Sequence, residues 1–444
     1  MNNRVRDLTT GPVYKKLILF AVPMILASFL QSVYGLIDMM ITGRFCGADG
    51  LSGVYNGSMI MNLVSFVAIG LSTGGNVSIG QYYGAGDDKN RKEATSTAMG
   101  FMLIVGLVLA IALFVLARPL MRLLDAPALE EAVAYLRICA IGCIFIYGYN
   151  GLCAIIRAVG DSRTPLLIIV VAAVSNVVLD LLCIAVFEMG VIGAAIATVF
   201  SQFVSFLLAL IHTQQRASFF GFTIFKLKIY RDKLKLILKI GVPSAFLFCV
   251  NGFTHLLNTS LMNGYGVVVS AGCGVGNRIV DLGTGFITAT MSASSTMVAQ
   301  CIGAKLYDRV RRVLRATLIL NLCIGAVVLL LVQLFAPGII SLFEKSAEVI
   351  DAGVHYLRVV IFQPFIYSFF TSLHAVATGA GDTKLVMWNS IFGMALPRIV
   401  LALLLNGLIG IVGVYLSCIL APLFAIPVAL WYYKKNRWQH RMIN

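Results

Sequence analysis

Residues 13–42 read VYKKLILFAVPMILASFLQSVYGLIDMMIT, and this stretch decides the fold. Beyond Lys16 it carries a single charge, Asp38, in a run longer than the roughly 20 apolar residues needed to cross a bilayer. It is too long for a signal-peptide core and lacks a small-residue cleavage site, so the reading is a retained helix. Comparable stretches follow at 52–80, 95–117, 132–156, 164–187, 190–211, 236–262, 266–299, 313–336, 353–377, 385–406 and 409–433. With 59% apolar and 12% charged residues in 444, no water-soluble interior could hide so much apolar surface. The expectation is an all-α polytopic membrane protein of 12 transmembrane helices.

The first stretch has an echo. Residues 236–262 read LILKIGVPSAFLFCVNGFTHLLNTSLM, and a shift of about 220 residues places Pro23 on Pro243. The same shift brings Gln81-x-x-Gly84-Ala85 near Gln300-x-x-Gly303-Ala304, Tyr135-Leu136-Arg137 near Tyr356-Leu357-Arg358, and Gly160-Asp161 near Gly381-Asp382. Gly190-x-x-Gly193 falls on Gly410-x-x-Gly413. Order is kept throughout, as in a duplicated chain. An even number of helices per half makes both halves enter from the same side, related by an axis along the membrane normal. The expected division is an N-terminal six-helix lobe at 1–215, a polybasic linker at 216–235 and a C-terminal six-helix lobe at 236–444.

A net charge of +15 raises the question of a nucleic-acid partner, and its placement answers it. With a cytoplasmic N-terminus, most Lys and Arg fall in the inner segments, the pattern of the positive-inside rule. Both termini are therefore expected in the cytoplasm. The densest cluster, Lys226, Lys228, Arg231, Lys233, Lys235 and Lys239, interleaves with apolar residues as an amphipathic helix on anionic lipid would. The expected partners are lipid and a small molecule, with no nucleic acid. Nine of the 10 Cys lie in apolar stretches and only Cys46 in an outer loop, so no disulfide framework is expected. Cys139 and Cys143 share a helix face but lack His or acidic neighbours, and read as packing rather than metal ligands.

A carboxylate within a membrane helix costs ~2.5–3.5 kcal/mol on insertion scales, which makes each one a functional candidate. Asp38, Asp180 and Asp281 qualify. Arg278 lies one turn from Asp281, so that pair has a structural explanation at i, i+3 and ranks second, as does Asn150. Asp38 and Asp180 have no basic residue within a turn. Gln31, Tyr34 and Asp38 recur along one helix, Asn176 lies a turn from Asp180, and Thr198 reaches a similar depth. The plain alternative is two helix-end acids reaching interfacial water. Against it, the positions about 220 residues later hold Asn258 and Val400, so the scaffold repeats without the acids. Two carboxylates in a low-dielectric pocket repel, and taking up a proton relieves the repulsion.

These residues resemble the multidrug and toxic compound extrusion (MATE) family. The resemblance runs through Tyr34-x-x-x-Asp38, Gly43-Arg44, Gln81-x-x-Gly84-Ala85-Gly86 and Arg157-Ala158-x-Gly160-Asp161-Ser162-Arg163-Thr164-Pro165. It continues through Asn176-x-x-x-Asp180 and Gly190-x-x-Gly193-Ala194-Ala195-x-Ala197-Thr198, covering nearly the whole chain. It implies a V-shaped two-lobe exporter coupled to a cation, similar to the family's proton-coupled DinF-type prokaryotic branch, whose acids gather in the first lobe. Asn176 and Thr198 match polar positions of that site. The other large bacterial branch carries acids in helices 7 and 10, and this chain has none between Asp232 and Asp281 or between Asp351 and Asp382. Na+ could still be held by Asp38, Asn176, Asp180 and Thr198, an all-oxygen set.

Gly84-Ala85-Gly86 followed by Asp87 and Asp88 lacks the Gly-Lys-Ser/Thr ending of a P-loop and reads as a turn. His255 and His374, without acidic neighbours in sequence, read as core histidines. The expected function is antiport of small organic, often cationic, compounds against H+ or Na+ by alternating access, without enzyme activity or cofactor. A monomer in a prokaryotic plasma membrane is the expected setting. The rivals are a lipid-linked oligosaccharide flippase, which Arg278 and Arg398 keep open, and a channel, for which no filter repeat appears.

Overall fold

A computed structural model describes residues 7–440. Twelve long helices dominate them: α1 (Val13–Phe45), α2 (Gly47–Ala85), α3 (Asp88–Leu123), α4 (Leu129–Ala158), α5 (Arg163–Val186) and α6 (Gly190–Gln214). After the connection come α7 (Arg231–Asn263), α8 (Val267–Gly303), α9 (Tyr307–Ser341), α10 (Ala347–Gly379), α11 (Thr383–Ile409) and α12 (Ile411–Lys434). Eleven of these are long and apolar enough to cross a membrane. The exception, α8, has the length, and Asn277, Arg278, Asp281 and a run of Thr and Ser lower its apolarity.

The packing falls into two compact units whose borders lie inside helices. Among the described residues, one unit comprises Asp7 and 26–245, the other 8–25 and 246–440. Helices α1 and α7 are thus each shared, and the borders follow two residues after Pro23 and Pro243. The expected division at the polybasic linker therefore differs from the division by contacts. Proline removes one backbone hydrogen bond and bends a helix, which lets the two stretches of one helix join different cores. Leu8, Val13, Leu17, Phe20 and Ala21 are buried with Met297, Val298 and Ile302 in the second unit. Residues 236–245 belong to the first, where Ala245 joins Val64, Leu71 and Tyr147.

The linker itself corrects one expectation. Lys226 ends a short 3-10 turn, Leu227 is extended, and α7 begins only at Arg231. Ser96 Oγ donates to Lys228 O (2.9 Å), and Thr97 Oγ1 accepts from Tyr230 N (3.1 Å). Hydroxyls of α3 thus satisfy backbone groups that a continuous amphipathic helix would have paired internally. Lys233 is buried, with Nζ 5.1 Å from the Tyr82 ring centre.

Each unit repeats one close contact. A Cβ on Gly57 would overlap the Tyr135 ring, and a Cβ on Gly276 would come within 2.5 Å of the Tyr356 ring. The phenol then meets the next residue along the same helix. Ser58 Oγ donates to Tyr135 OH (3.2 Å), and Tyr356 OH donates to Asn277 Oδ1 (3.1 Å). The internal repeat is therefore one of packing as well as of sequence.

Candidate functional site

The site is built in the first unit from five helices. Helix α5 is started by Asp161, whose carboxylate accepts from Arg163 N (3.1 Å), Thr164 N (3.0 Å) and Thr164 Oγ1 (2.7 Å). This is the capping that Asp supplies to free N–H groups in a first turn, and Pro165 fits there because it has no N–H to lose. At the other end, α-helical geometry stops at Asp180 and a π-helical segment, Leu181–Val186, continues. Such wider turns are frequent at functional sites.

A cavity of about 200 Å³ is lined by Tyr34 and Asp38 of α1, Ser58, Asn62 and Ser65 of α2, and Tyr135 and Cys139 of α4. Asn176 of α5 and Thr198, Ser201 and Gln202 of α6 complete its polar wall. At about 30 Å³ per water it holds several waters or a small head group. Drug-sized pockets run from about 300 to 1,000 Å³.

Asp180 lies behind the lining, fully buried, and its carboxyl is the electrostatic neighbour of that of Asp38. The two can share a hydrogen bond only when one of them carries a proton. Asp38 Oδ1, Thr42 Oγ1, Asn176 Oδ1 and both Asp180 carboxylate oxygens are buried without a donor. Buried acceptors are costly unless something supplies positive charge. The oxygen set fits a proton or a hard monovalent cation.

The structure thus brings together Tyr34, Asp38, Asn176, Asp180 and Thr198. Gln31 is exposed and does not line the cavity, and Asn150 donates to Ile146 O (2.8 Å) in its own helix. Sequence reasoning passed over Ser58, Asn62 and Ser65. Their spacing of four and three residues on α2 is the signal that marks them as one face.

The other candidates lie in the second unit. Asp281 Oδ2 is 3.9 Å from His255 Nε2, which also meets Asn277 Nδ2 at 2.8 Å. Arg278 and Arg398 are within electrostatic reach of Asp281. His255 is therefore part of a charged cluster, contrary to the core reading. His374 is buried against the Phe370 ring (3.9 Å) with Nε2 3.0 Å from Asn389 Nδ2, a satisfied core position.

The family model MatE matches residues 23–182 and again 243–404. The chain belongs to the MatE family. The paired match begins at the two helix prolines, Pro23 and Pro243, so it follows the internal repeat. Among relatives, the probable multidrug resistance protein YpnP of Bacillus subtilis is 30% identical over 98% of this chain and 97% of its own length. The probable multidrug resistance protein YoeA of the same organism is 28% identical over 86% of this chain and 84% of its own. A solved multidrug resistance MATE family transporter of the MOP superfamily superposes with a TM-score of 0.92 at 22% identity, covering 99% of each chain. The twelve-helix fold of this MatE chain is thus that of a multi-pass membrane transporter, not an enzyme.

Proposed function

We propose that this chain exports small organic, often cationic, compounds in exchange for H+ or Na+ taken up by the Asp38–Asp180 pair. The observation that carries this reading is an acid pair three of whose four carboxylate oxygens, Asp38 Oδ1 and both of Asp180, are buried with no donor among the described residues. Relatives named multidrug resistance proteins support the substrate class. The cavity suits a coupling ion and its waters, or the charged head of a substrate, rather than a whole drug. Coupling then follows from competition: a positive head group and the incoming ion both neutralise the same carboxylates, so arrival of one releases the other. An ion entering with the membrane potential contributes ~2.3 kcal/mol per 100 mV. Alternating access in a bacterial plasma membrane, by a monomer with both termini in the cytoplasm, completes the proposal.

Proteoliposomes given separate proton and sodium gradients test it. Efflux of a lipophilic cation should follow one gradient and be lost in both Asp38→Asn and Asp180→Asn. Efflux that survives both substitutions and ignores both gradients sinks the mechanism.

A further inference from the structure

The second unit repeats the scaffold of the first site with altered charge. Tyr356 over Gly276 takes the place of Tyr135 over Gly57. The Asp38 position is held by Asn258, the Asn62 position by Asp281 and the Thr198 position by Cys418. The Asp180 position is held by Val400, and two residues before it helix α11 carries Arg398, just past a π-helical segment at Ile391–Ala395.

The Arg398 guanidinium is held by neutral groups. With the Asn258 amide turned so that its oxygen faces α11, Oδ1 accepts from Nη2 (2.8 Å) and Nε (2.5 Å). Nη2 also approaches Cys418 Sγ at 3.1 Å. No carboxylate of the described residues comes within ion-pair distance of it. Arg398 lies about 16 Å from the α11 end of its span at ~1.5 Å per residue. A charge at such depth is paired or faces a water-filled space. Nearby stand Arg278, exposed on α8, and His255, against the single carboxylate of Asp281. Two guanidiniums face one acid, a positive balance where the first unit is negative.

We propose that Arg398, seconded by Arg278, forms an oxyanion-accepting site in the second unit for the carboxylate or phosphate head of an amphiphile. A guanidinium fork matches both anions in two-point geometry, and the depth among apolar spans selects heads that carry an apolar tail. The site does not depend on the exchange mechanism of the first unit.

Calorimetric titration of the purified full chain in neutral maltoside micelles, with decanoate as probe, tests the site. Decanoate should bind, and decyltrimethylammonium, with an equal tail and opposite charge, should not displace it. Arg398→Gln should weaken decanoate at least about tenfold, the loss of one charge-assisted contact. Asn258→Asp, nearly isosteric, places an internal carboxylate on Arg398 and should weaken it similarly without removing the cation. Asp180→Asn should leave it unchanged, which separates this site from the exchange site. Acetate, which lacks the tail, should bind more weakly than decanoate. In nanodiscs, suppression by phosphatidylglycerol relative to phosphatidylcholine would identify a net anionic lipid head as the resident, and equal binding in both a free amphiphile. Unchanged decanoate affinity in both Arg398→Gln and Asn258→Asp, or displacement by the cationic amphiphile, overturns the proposal.

Discussion

Among the described residues, the fully buried carboxyl of Asp180 has the carboxyl of Asp38 as its electrostatic neighbour, and neither of its oxygens has a donor. A pair of this kind is unstable with two charges and stable with one proton or cation between them. Asp180→Asn converts it into an amide facing a carboxylate, where Nδ2 donates what the acid lacked. A bond to a charged acceptor contributes about 1.5–3 kcal/mol. The expected outcome is a melting temperature in detergent equal to or above that of the parent chain, with gradient-driven efflux reduced to the level of empty liposomes. A variant that melts well below the parent would show the pair to be structural.

The glycines of α8 separate a packing role from helix propensity. A Cβ on Gly276 meets the Tyr356 ring at 2.5 Å, whereas one on Gly274, two residues earlier, meets nothing within 4 Å. Gly276→Ala must displace a buried tyrosine and its bond to Asn277, at a cost of about 1–3 kcal/mol for overpacking. Gly274→Ala should be neutral, or stabilising by up to about 1 kcal/mol from the better helix former. Thermal melts of the two variants side by side check the contrast. Equal loss in both would mean that Tyr356 is free to move aside.

Much of this was legible in the sequence because membrane helices and buried acids are expensive to place without reason. The spacing of Pro23 and Pro243 gave the repeat, and Asp38 and Asp180 stood out as acids without bases. Gln31 was misplaced since a shared helix face does not mean a shared depth: seven residues separate it from Asp38 by about 10 Å. Ser58, Asn62 and Ser65 were passed over since uncharged polar side chains in a span attract less notice than charges. The sharing of α1 and α7 between units was not legible either. Hydropathy records that a segment avoids water, not which neighbours it packs against. The linker reading failed where Ser96 and Thr97, distant in sequence, took over the backbone bonding of residues 228 and 230.

Arg309 ties the start of the described chain to the second unit. Its Nε donates to Leu8 O (3.1 Å), Nη1 to Gly11 O (2.8 Å) and Nη2 to Thr10 O (2.7 Å), while Leu8 N donates to Gln300 Oε1 (3.2 Å). Three carbonyls on one guanidinium require its rigid fork, which lysine lacks. Arg309→Ala should raise amide hydrogen exchange at residues 8–20 at least about tenfold, the loss of one charged hydrogen bond's worth of protection. Arg309→Lys should recover only part of it. Unchanged exchange in the alanine variant would show that burial of Leu8, Leu17 and Phe20 alone holds the segment.

The turn between α2 and α3 offers a pH-dependent test outside the membrane spans. Gly86 closes α2 in the left-handed conformation (φ 70°), and Asp87 then caps α3. Its carboxylate accepts from Asn90 Nδ2 (2.6 Å) and Asn90 N (3.1 Å), and these bonds hold its pKa below the ordinary carboxylate value. A depressed value in the folded state means that the stabilisation is complete above the unfolded value. It is lost as pH falls through the folded one. Asp87→Ala should cost about 0.5–1 kcal/mol near neutral pH, the lower part of the capping range because the site is open to water. Asp87→Asn keeps a neutral cap, so its deficit against the parent should shrink as the melt is taken from neutral pH into the acid range. A constant difference between the parent and Asp87→Asn across that range would mean that the ionised carboxylate contributes nothing to holding α3.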